Sequence, residues 1–378
     1  MNNKGINILI ASGKTGGHLF PGIAIAQALL EENPGTGILF AGIGTDFETE
    51  TVAGCGFDYA RLYSRPVKGR NPISLVFSLL IIPLSIFQAI VIIKRFTPAM
   101  VIGTGGYSSF PMVAGAWLLG IKTGIQEQNT IPGLTNRVLG KIATVIFLNF
   151  KNTKLLSEKQ NAVHAGNPVR TASTKPRNSK SLSEHFNGFT NRAAEDQFTI
   201  LVTGGSQGAK SINNSFLKAV RLIKNPDQYN IIHQTGVEDE EPVLEKYSKL
   251  NIKNIIVKAF FDDLDFYQDM ADLIICRAGA GTISEITLKG IPSILIPYPF
   301  AADDHQTQNA KELEKAGGAI VIQDKELSGF LLKKHIESLR NNNDLLEKMG
   351  KAARKMAMPG AGKKIAETIL KMIAEQGE

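Results

Sequence analysis

Three short stretches of this chain bring together residue types suited to holding phosphates and sugars. The first is Ser12-Gly13-Lys14-Thr15-Gly16-Gly17-His18, followed by Leu19-Phe20-Pro21-Gly22 and a helical run. A glycine-rich turn feeding a helix lets backbone N–H groups approach a phosphate or sugar closely, Pro21 suits a first helical turn, and His18 falls at the mouth of a cleft. Gly13-Lys14-Thr15 invites a P-loop reading, but Ile8 stands where the earlier glycine is required. The plainer reading is a tight βα turn without chemistry. The second stretch, Thr203-Gly204-Gly205-Ser206-Gln207-Gly208-Ala209-Lys210, has the same form. Neither turn is a G-x-G-x-x-G fingerprint, and neither has an acidic residue at the end of the next strand to hold a ribose. Two such loops predict a diphosphate held between lobes.

The third stretch is Arg277-Ala278-Gly279-Ala280-Gly281-Thr282-Ile283-Ser284-Glu285. Its small residues open a helix whose N–H groups can face a diphosphate, while Glu285, about one turn in, can accept both hydrogen bonds of a ribose diol. Downstream, Pro297-Tyr298-Pro299-Phe300 leads to Asp303-Asp304-His305-Gln306-Thr307-Gln308-Asn309-Ala310. These amides and carboxylates suit sugar hydroxyls; alone, they read equally as an N-cap with solvated neighbours.

The elements that must position these stretches alternate as βαβ units. Apolar runs at Ile6–Ala11, Gly37–Ala41, Met100–Gly103, Thr123–Gln126 and Val145–Phe147 predict one parallel sheet. The pattern fails across the polar, basic 171–197 segment, which reads as a linker or insertion. It restarts with Thr199–Thr203, Asn230–Gln234, Ile255–Lys258, Leu273–Cys276, Ser293–Ile296 and Ala319–Ile322. Two Rossmann-like α/β domains are predicted, 1–170 and 198–358, with a cleft between them. Helical spacing over Glu326–Asn341 and Leu345–Met356 and a break at Pro359-Gly360 leave 359–378 as a last helix crossing back to the first domain.

The 378 residues are 43% hydrophobic and 20% charged, an ordinary globular composition. A net charge of +7 with the basic residues scattered points to phosphorylated small molecules or anionic lipids and away from nucleic acid. Cys55 and Cys276 have neither disulfide-framework nor metal-ligand spacing, so no zinc site is indicated and a reducing cytoplasm is the expected compartment; no cofactor is expected. The first strand begins so early that no export signal is expected.

At these residues the chain closely resembles the MurG family of UDP-N-acetylglucosamine transferases, which convert lipid I to lipid II in peptidoglycan synthesis. The resemblance runs from Ile6 to Ala374 through TGGHLFPGIAIAQAL, GTGGYSSFP, QEQNTIPGLTNR, GNPVR, GGSQGAKSIN, HQTG, CRAGAGTISE and DHQTQNA, in order. It implies a GT-B fold, UDP-GlcNAc as donor, lipid I as acceptor, and inversion at the anomeric carbon without an essential metal. It further implies that Thr15, Gly16 and Gly17 approach donor and acceptor, and that Asn129 contacts the GlcNAc. Arg170 and Ser206 would lie near the nucleotide or diphosphate. Phe261 and Ala280, Gly281, Thr282, Ile283, Ser284 and Glu285 would surround uridine and ribose, and Gln306 would hold sugar hydroxyls. Lys14 and Tyr107 are acceptor-side candidates. His18 aligns with the histidine proposed as general base, a task suited to an imidazole, and Glu127, Asp303 and Asp304 compete for it. The chain departs from the family at Lys14, usually glycine, and at Gln126, usually histidine.

The uncharged segment Ile73–Ile93 is long enough to span a bilayer, with Arg65, Lys68 and Arg70 before it and Lys94 and Arg95 after it. A span would split one parallel sheet across the membrane, so an interfacial helix with Trp117 in its patch is expected; a buried sheet-packing helix is the alternative. The expected partners are therefore anionic inner-membrane lipids as well as donor and acceptor, with cell-wall synthesis proteins as further candidates, at the cytoplasmic face. A UDP-GlcNAc 2-epimerase or an inactive nucleotide-sugar-binding scaffold are the competing functions.

Overall fold

The computed structural model describes residues 5–65, 72–169, 197–205, 207–250, 252 and 254–375. The chain divides into two compact units, Met1–Thr171 with Met358–Glu378, and Ala172–Ala357. The first runs β1 (Asn7–Ala11), α1 (Gly16–Glu32), β2 (Gly37–Gly42), α2 (Asp46–Gly54), β3 (Asp58–Arg61), α3 (Pro72–Phe96), β4 (Met100–Gly103), α4 (Ser109–Leu118), β5 (Lys122–Glu127), α5 (Leu134–Leu139), β6 (Val145–Leu148) and β7 (Ala162–His164). The second runs β8 (Phe198–Thr203), α6 (Lys210–Leu222), β9 (Tyr229–Gln234), α7 (Glu240–Ser248), β10 (Ile255–Lys258), α8 (Leu264–Met270), β11 (Leu273–Cys276), α9 (Ala280–Lys289), β12 (Ser293–Leu295), α10 (His305–Lys315), β13 (Ala319–Val321), α11 (Gly329–Arg340) and α12 (Asn343–Lys355). A last helix, α13 (Ala361–Ala374), belongs to the first unit.

Each unit is a doubly wound parallel sheet, ordered β3-β2-β1-β4-β5-β6-β7 in the first and β10-β9-β8-β11-β12-β13 in the second. The alternation of β1 shows why both faces must be covered. Ile8 and Ile10 enter the core shared with α1 and α13, while Leu9 and Ala11 enter the core shared with α3 and α4. Ile365, Ala366 and Ile369 seat α13 against α1, and burial of each isoleucine contributes about 1.5–3 kcal/mol.

The short strands β3 and β7 lie outside the sequence reading. Both are sheet-edge strands with little burial, so neither carries the apolar run by which the central strands are recognised. The strand order reverses between β1 and β4 in one sheet and between β8 and β11 in the other. Loops at the carboxyl ends of those strands diverge there and leave a crevice, the usual ligand position in such sheets.

The segment predicted to lie in the membrane interface is α3. Ser85, Ala89 and Ile93 are buried while Leu80, Leu84 and Phe87 are 68%, 57% and 65% exposed, and α4 beside it exposes Trp117 and Leu118. Among the described residues, no helix is long and apolar enough to cross a membrane. Lys68 and Arg70 lie outside the described residues.

Candidate active site

In the first unit the reversal between β1 and β4 places the β1–α1 turn beside the loop after β4. Helix α1 begins at Gly16 with Thr15 as its N-cap, so His18 stands on the first helical turn. Pro21, expected in that first turn, is instead inside the helix. Lys14, Thr15 and Gly17 are exposed, and His18 is half-buried with Nδ1 3.1 Å from Thr15 Oγ1. The ring is accommodated by missing side chains. A Cβ on Gly105 would come within 2.7 Å of His18 Cδ2, and one on Gly13 within 2.8 Å of Nδ1. Gly105 and Gly106 hold φ of +101° and +80°, a region that glycine adopts without steric cost. Three hydroxyls lock this loop: Ser108 Oγ donates to Ser12 O at 2.6 Å, Ser109 Oγ lies 2.8 Å from Ala11 O, and Thr104 Oγ1 donates to His18 O at 2.8 Å. Tyr107 is half-buried on the same loop.

Glu127, the last residue of β5, was a candidate base, and its position argues against that role. It is 1% exposed. Its carboxylate accepts from Asn129 N (2.9 Å), Asn129 Nδ2 (3.2 Å), Gly133 N (3.2 Å) and Asn136 Nδ2 (2.9 Å), so it ties down the Asn129–Gly133 loop. Burial raises its pKa despite these four donors, which lower it. A carboxylate enclosed in this way offers no oxygen to an incoming hydroxyl. Asn129, half-buried, is the residue it orients. Gln126 is wholly buried and donates from Nε2 to Gly166 O at 3.2 Å. It joins β5 to the segment after β7. Arg170 lies outside the described residues.

In the second unit the corresponding reversal brings together the Gly-rich loop after β8 and the start of α9. Helix α9 is capped by Gly279, with no side-chain cap and no acidic residue in its first turn. Its first N–H groups therefore present an uncompensated positive helix end. Within the 280–285 segment burial separates the candidates. Ala280, Ile283 and Ser284 are buried, with Ser284 Oγ donating to Ala280 O at 2.9 Å, whereas Gly281, Thr282 and Glu285 remain half-exposed. Glu285 Oε2 accepts from Gln268 Nε2 at 3.0 Å. Phe261 is 2% exposed, its ring 4.4 Å from that of Tyr267, so it forms a wall from within. Gln306, on the first turn of α10, accepts at Oε1 from Ala278 N (3.2 Å) and Tyr298 N (2.9 Å), which turns Nε2 into the group able to donate outward. Asp303 and Asp304, just before α10, both adopt left-handed backbone, φ +54° and +53°. Asp304 occupies the N-cap position of α10 without a side-chain capping bond. Ser206 lies outside the described residues.

Both units match known families. The glycosyltransferase family 28 N-terminal domain matches residues 8–148, and the family 28 C-terminal domain matches residues 199–365. The UDP-N-acetylglucosamine–N-acetylmuramyl-(pentapeptide) pyrophosphoryl-undecaprenol N-acetylglucosamine transferase of Syntrophus aciditrophicus (strain SB) is 41% identical, over 97% of this chain and 99% of its own. The crystal structure of Acinetobacter baumannii MurG matches with a TM-score of 0.77 at 28% identity, over 97% of this chain and 99% of that one. The chain belongs to the MurG family. A UDP-GlcNAc 2-epimerase from Neisseria meningitidis, 13% identical with a TM-score of 0.70 over 97% of this chain and 100% of that one, shares the fold alone.

Two residues of this MurG-family site carry no role in the sequence reading. Arg277 spends its guanidinium on protein: Nη1 donates to Ile296 O (3.3 Å), Pro297 O (3.2 Å) and Asp324 Oδ1 (2.5 Å), and Nη2 to Ser211 Oγ (3.0 Å). It fastens the ends of β11, β12 and β13 to the start of α6. Its position two residues before the Gly279 cap was visible, but its partners are distant in sequence. The other is Gln234, in the HQTG segment. Beside it His233 is buried between Tyr247 OH (2.9 Å from Nδ1) and Asn213 Oδ1 (3.1 Å from Nε2). Asn213 Nδ2 donates to Thr235 O (2.9 Å) and Asp239 Oδ2 (2.8 Å), so Oδ1 is left to accept and His233 carries its proton on Nε2. Burial pushes the His233 pKa down to about 3, so the ring is neutral and structural.

Proposed function

We propose that this chain is an inverting glycosyltransferase that moves N-acetylglucosamine from UDP-GlcNAc to the 4-hydroxyl of the N-acetylmuramyl sugar of lipid I, forming lipid II. The match along nearly the whole chain to a relative bearing that enzyme's name carries the reading. The geometry supports it chemically. The second unit offers the open end of α9 and the Gly-rich loop to the diphosphate, Glu285 to the ribose diol, and Gln306 Nε2 to sugar hydroxyls. The first unit offers His18, on the first turn of α1, to the acceptor. As the acceptor oxygen attacks the anomeric carbon, its proton passes to the imidazole and the bond from that carbon to the diphosphate oxygen breaks. UDP leaves with its new charge facing helix dipoles. The test measures UDP release and product with UDP-GlcNAc, with and without a short-chain lipid I analogue. Release that requires the acceptor and yields a disaccharide supports transfer; release without acceptor, or no disaccharide, favours the epimerase or scaffold.

We further propose that this chain works peripherally at the cytoplasmic membrane surface, docking through Leu80, Leu84 and Phe87 of α3 with Trp117 and Leu118 of α4. Leu80, Leu84 and Phe87 recur at helical spacing and are exposed together, with Lys94 and Arg95 exposed at the end of the same helix. Leu84→Lys combined with Phe87→Lys is expected to reduce binding to anionic vesicles about tenfold or more, because two large apolar side chains are lost from the bilayer surface. Vesicle binding equal to that of the unmodified chain would rule out this face.

A further inference from the structure

The second unit contains a buried amide whose three partners all lie at its own strand crest. Gln234 is the last residue of β9, the strand between β8 and β10, and is 1% exposed. Its Nε2 lies 3.1 Å from Thr203 Oγ1 and 3.1 Å from Gly205 O, and its Oε1 lies 3.1 Å from Phe261 N. The amide orientation follows from the partners: a backbone N–H can only donate and a backbone carbonyl can only accept. Thr203 Oγ1 in turn accepts from Gly205 N at 3.1 Å. One side chain thus links the Gly-rich loop after β8 to the loop that carries Phe261 after β10.

We infer that Gln234 is a positioning residue for the donor site, holding the loop assigned to the diphosphate in register with the loop assigned to the uridine. The inference rests on the donor reading proposed above. UDP is a ligand of fixed length, so its base and its diphosphate are bound together only when their two loops keep a set separation. Gln234 is placed to set it, and no other side chain of comparable length could satisfy both a donor and two acceptors from that position. Removing the amide orphans the buried Phe261 N–H and frees the Gly205 carbonyl, on an exposed residue, to water, so that nothing ties the two loops and each relaxes independently.

The test compares Gln234→Met, of similar length without the amide, and Gln234→Glu, which keeps an acceptor for Phe261 N–H but loses both donors. For the full chain, UDP affinity is measured by calorimetry, the Michaelis constants of donor and acceptor by initial rates, and folding by thermal melting. Gln234→Met is expected to raise the UDP Kd and the donor KM about 10–100-fold, with Gln234→Glu also weakened. The acceptor KM and the kcat at saturating donor should stay within about threefold, the signature of lost donor binding. UDP affinity within about twofold of the unmodified chain in both variants would overturn the inference. So would a loss spread equally over acceptor KM, kcat and melting temperature, which marks a merely structural residue. If the unmodified chain binds no UDP, the donor reading fails and this inference falls with it.

Discussion

Replacing His18 with alanine is expected to lower kcat about 10²–10⁴-fold while leaving the affinity for UDP within about twofold, the range over which a positioned general base contributes. His18 is half-buried on the first turn of α1, next to exposed Thr15, and its ring is seated where Gly13, Gly105 and Gly106 have no side chains. Its competitor Glu127 is enclosed by four donors, and Asp303 and Asp304 belong to the other unit. An acceptor hydroxyl that loses its proton only after attack leaves a charged intermediate, so a missing base acts on the chemical step. UDP affinity is the control, since the groups proposed to hold UDP, the start of α9 and the loop after β8, belong to the second unit. Gly105→Ala provides a second route, because its Cβ would press on the imidazole and its φ disfavours any side chain. A His18→Ala variant that keeps more than about a tenth of kcat would remove the imidazole from proton transfer.

Gly208→Ala is expected to destabilise the second unit by about 3 kcal/mol or more, against about 1 kcal/mol for Gly205→Ala. Both glycines have positive φ, +72° and +85°, so both substitutions carry the left-handed penalty. Their surroundings differ. A Cβ on Gly205 meets nothing within 4 Å, whereas one on Gly208 would overlap the carbonyl of Thr235 and lie 2.9 Å from Gly236 Cα. That carbonyl cannot retreat cheaply, since Asn213 holds it and His233 holds Asn213. The clash must instead lift the Gly-rich loop off the end of β9. Urea unfolding of the two variants decides the matter: equal shifts in midpoint would mean that the close backbone approach is not what requires glycine at 208.

The architecture was legible wherever burial imposes a regular pattern. Central strands such as β1, β4, β8 and β11 are covered on both faces, so they read as continuous apolar runs, and the Gly-rich turns after β1 and β8 stand out because only glycine tolerates close backbone approach. Strands β3 and β7 escaped because they are only four and three residues long and none of their residues is fully buried, so neither needs an apolar run. The start of α1 was misplaced by several residues, since Pro21 resembles a first-turn proline, yet the helix accommodates it internally. Site residues were legible as types rather than as roles. A glutamate at 127 and a histidine at 18 are both reasonable bases on paper, and burial distinguishes them.

By itself the sequence determined two βαβ series, glycine-rich turns feeding helices, an apolar helix flanked by basic residues, and the MurG-family signature. Each of these follows from local periodicity or from residue order, which a linear string records. Only the tertiary structure decided that Glu127 is enclosed, that Ser284 turns its hydroxyl back to its own helix, and that Arg277 and Gln234 fasten loops from different strands. Those assignments depend on partners such as Asp324, 47 residues from Arg277, or Phe261, 27 from Gln234. A hydrogen bond or a desolvated carboxylate is a property of distance in space, and separation along the chain does not encode that distance until the sheets have formed.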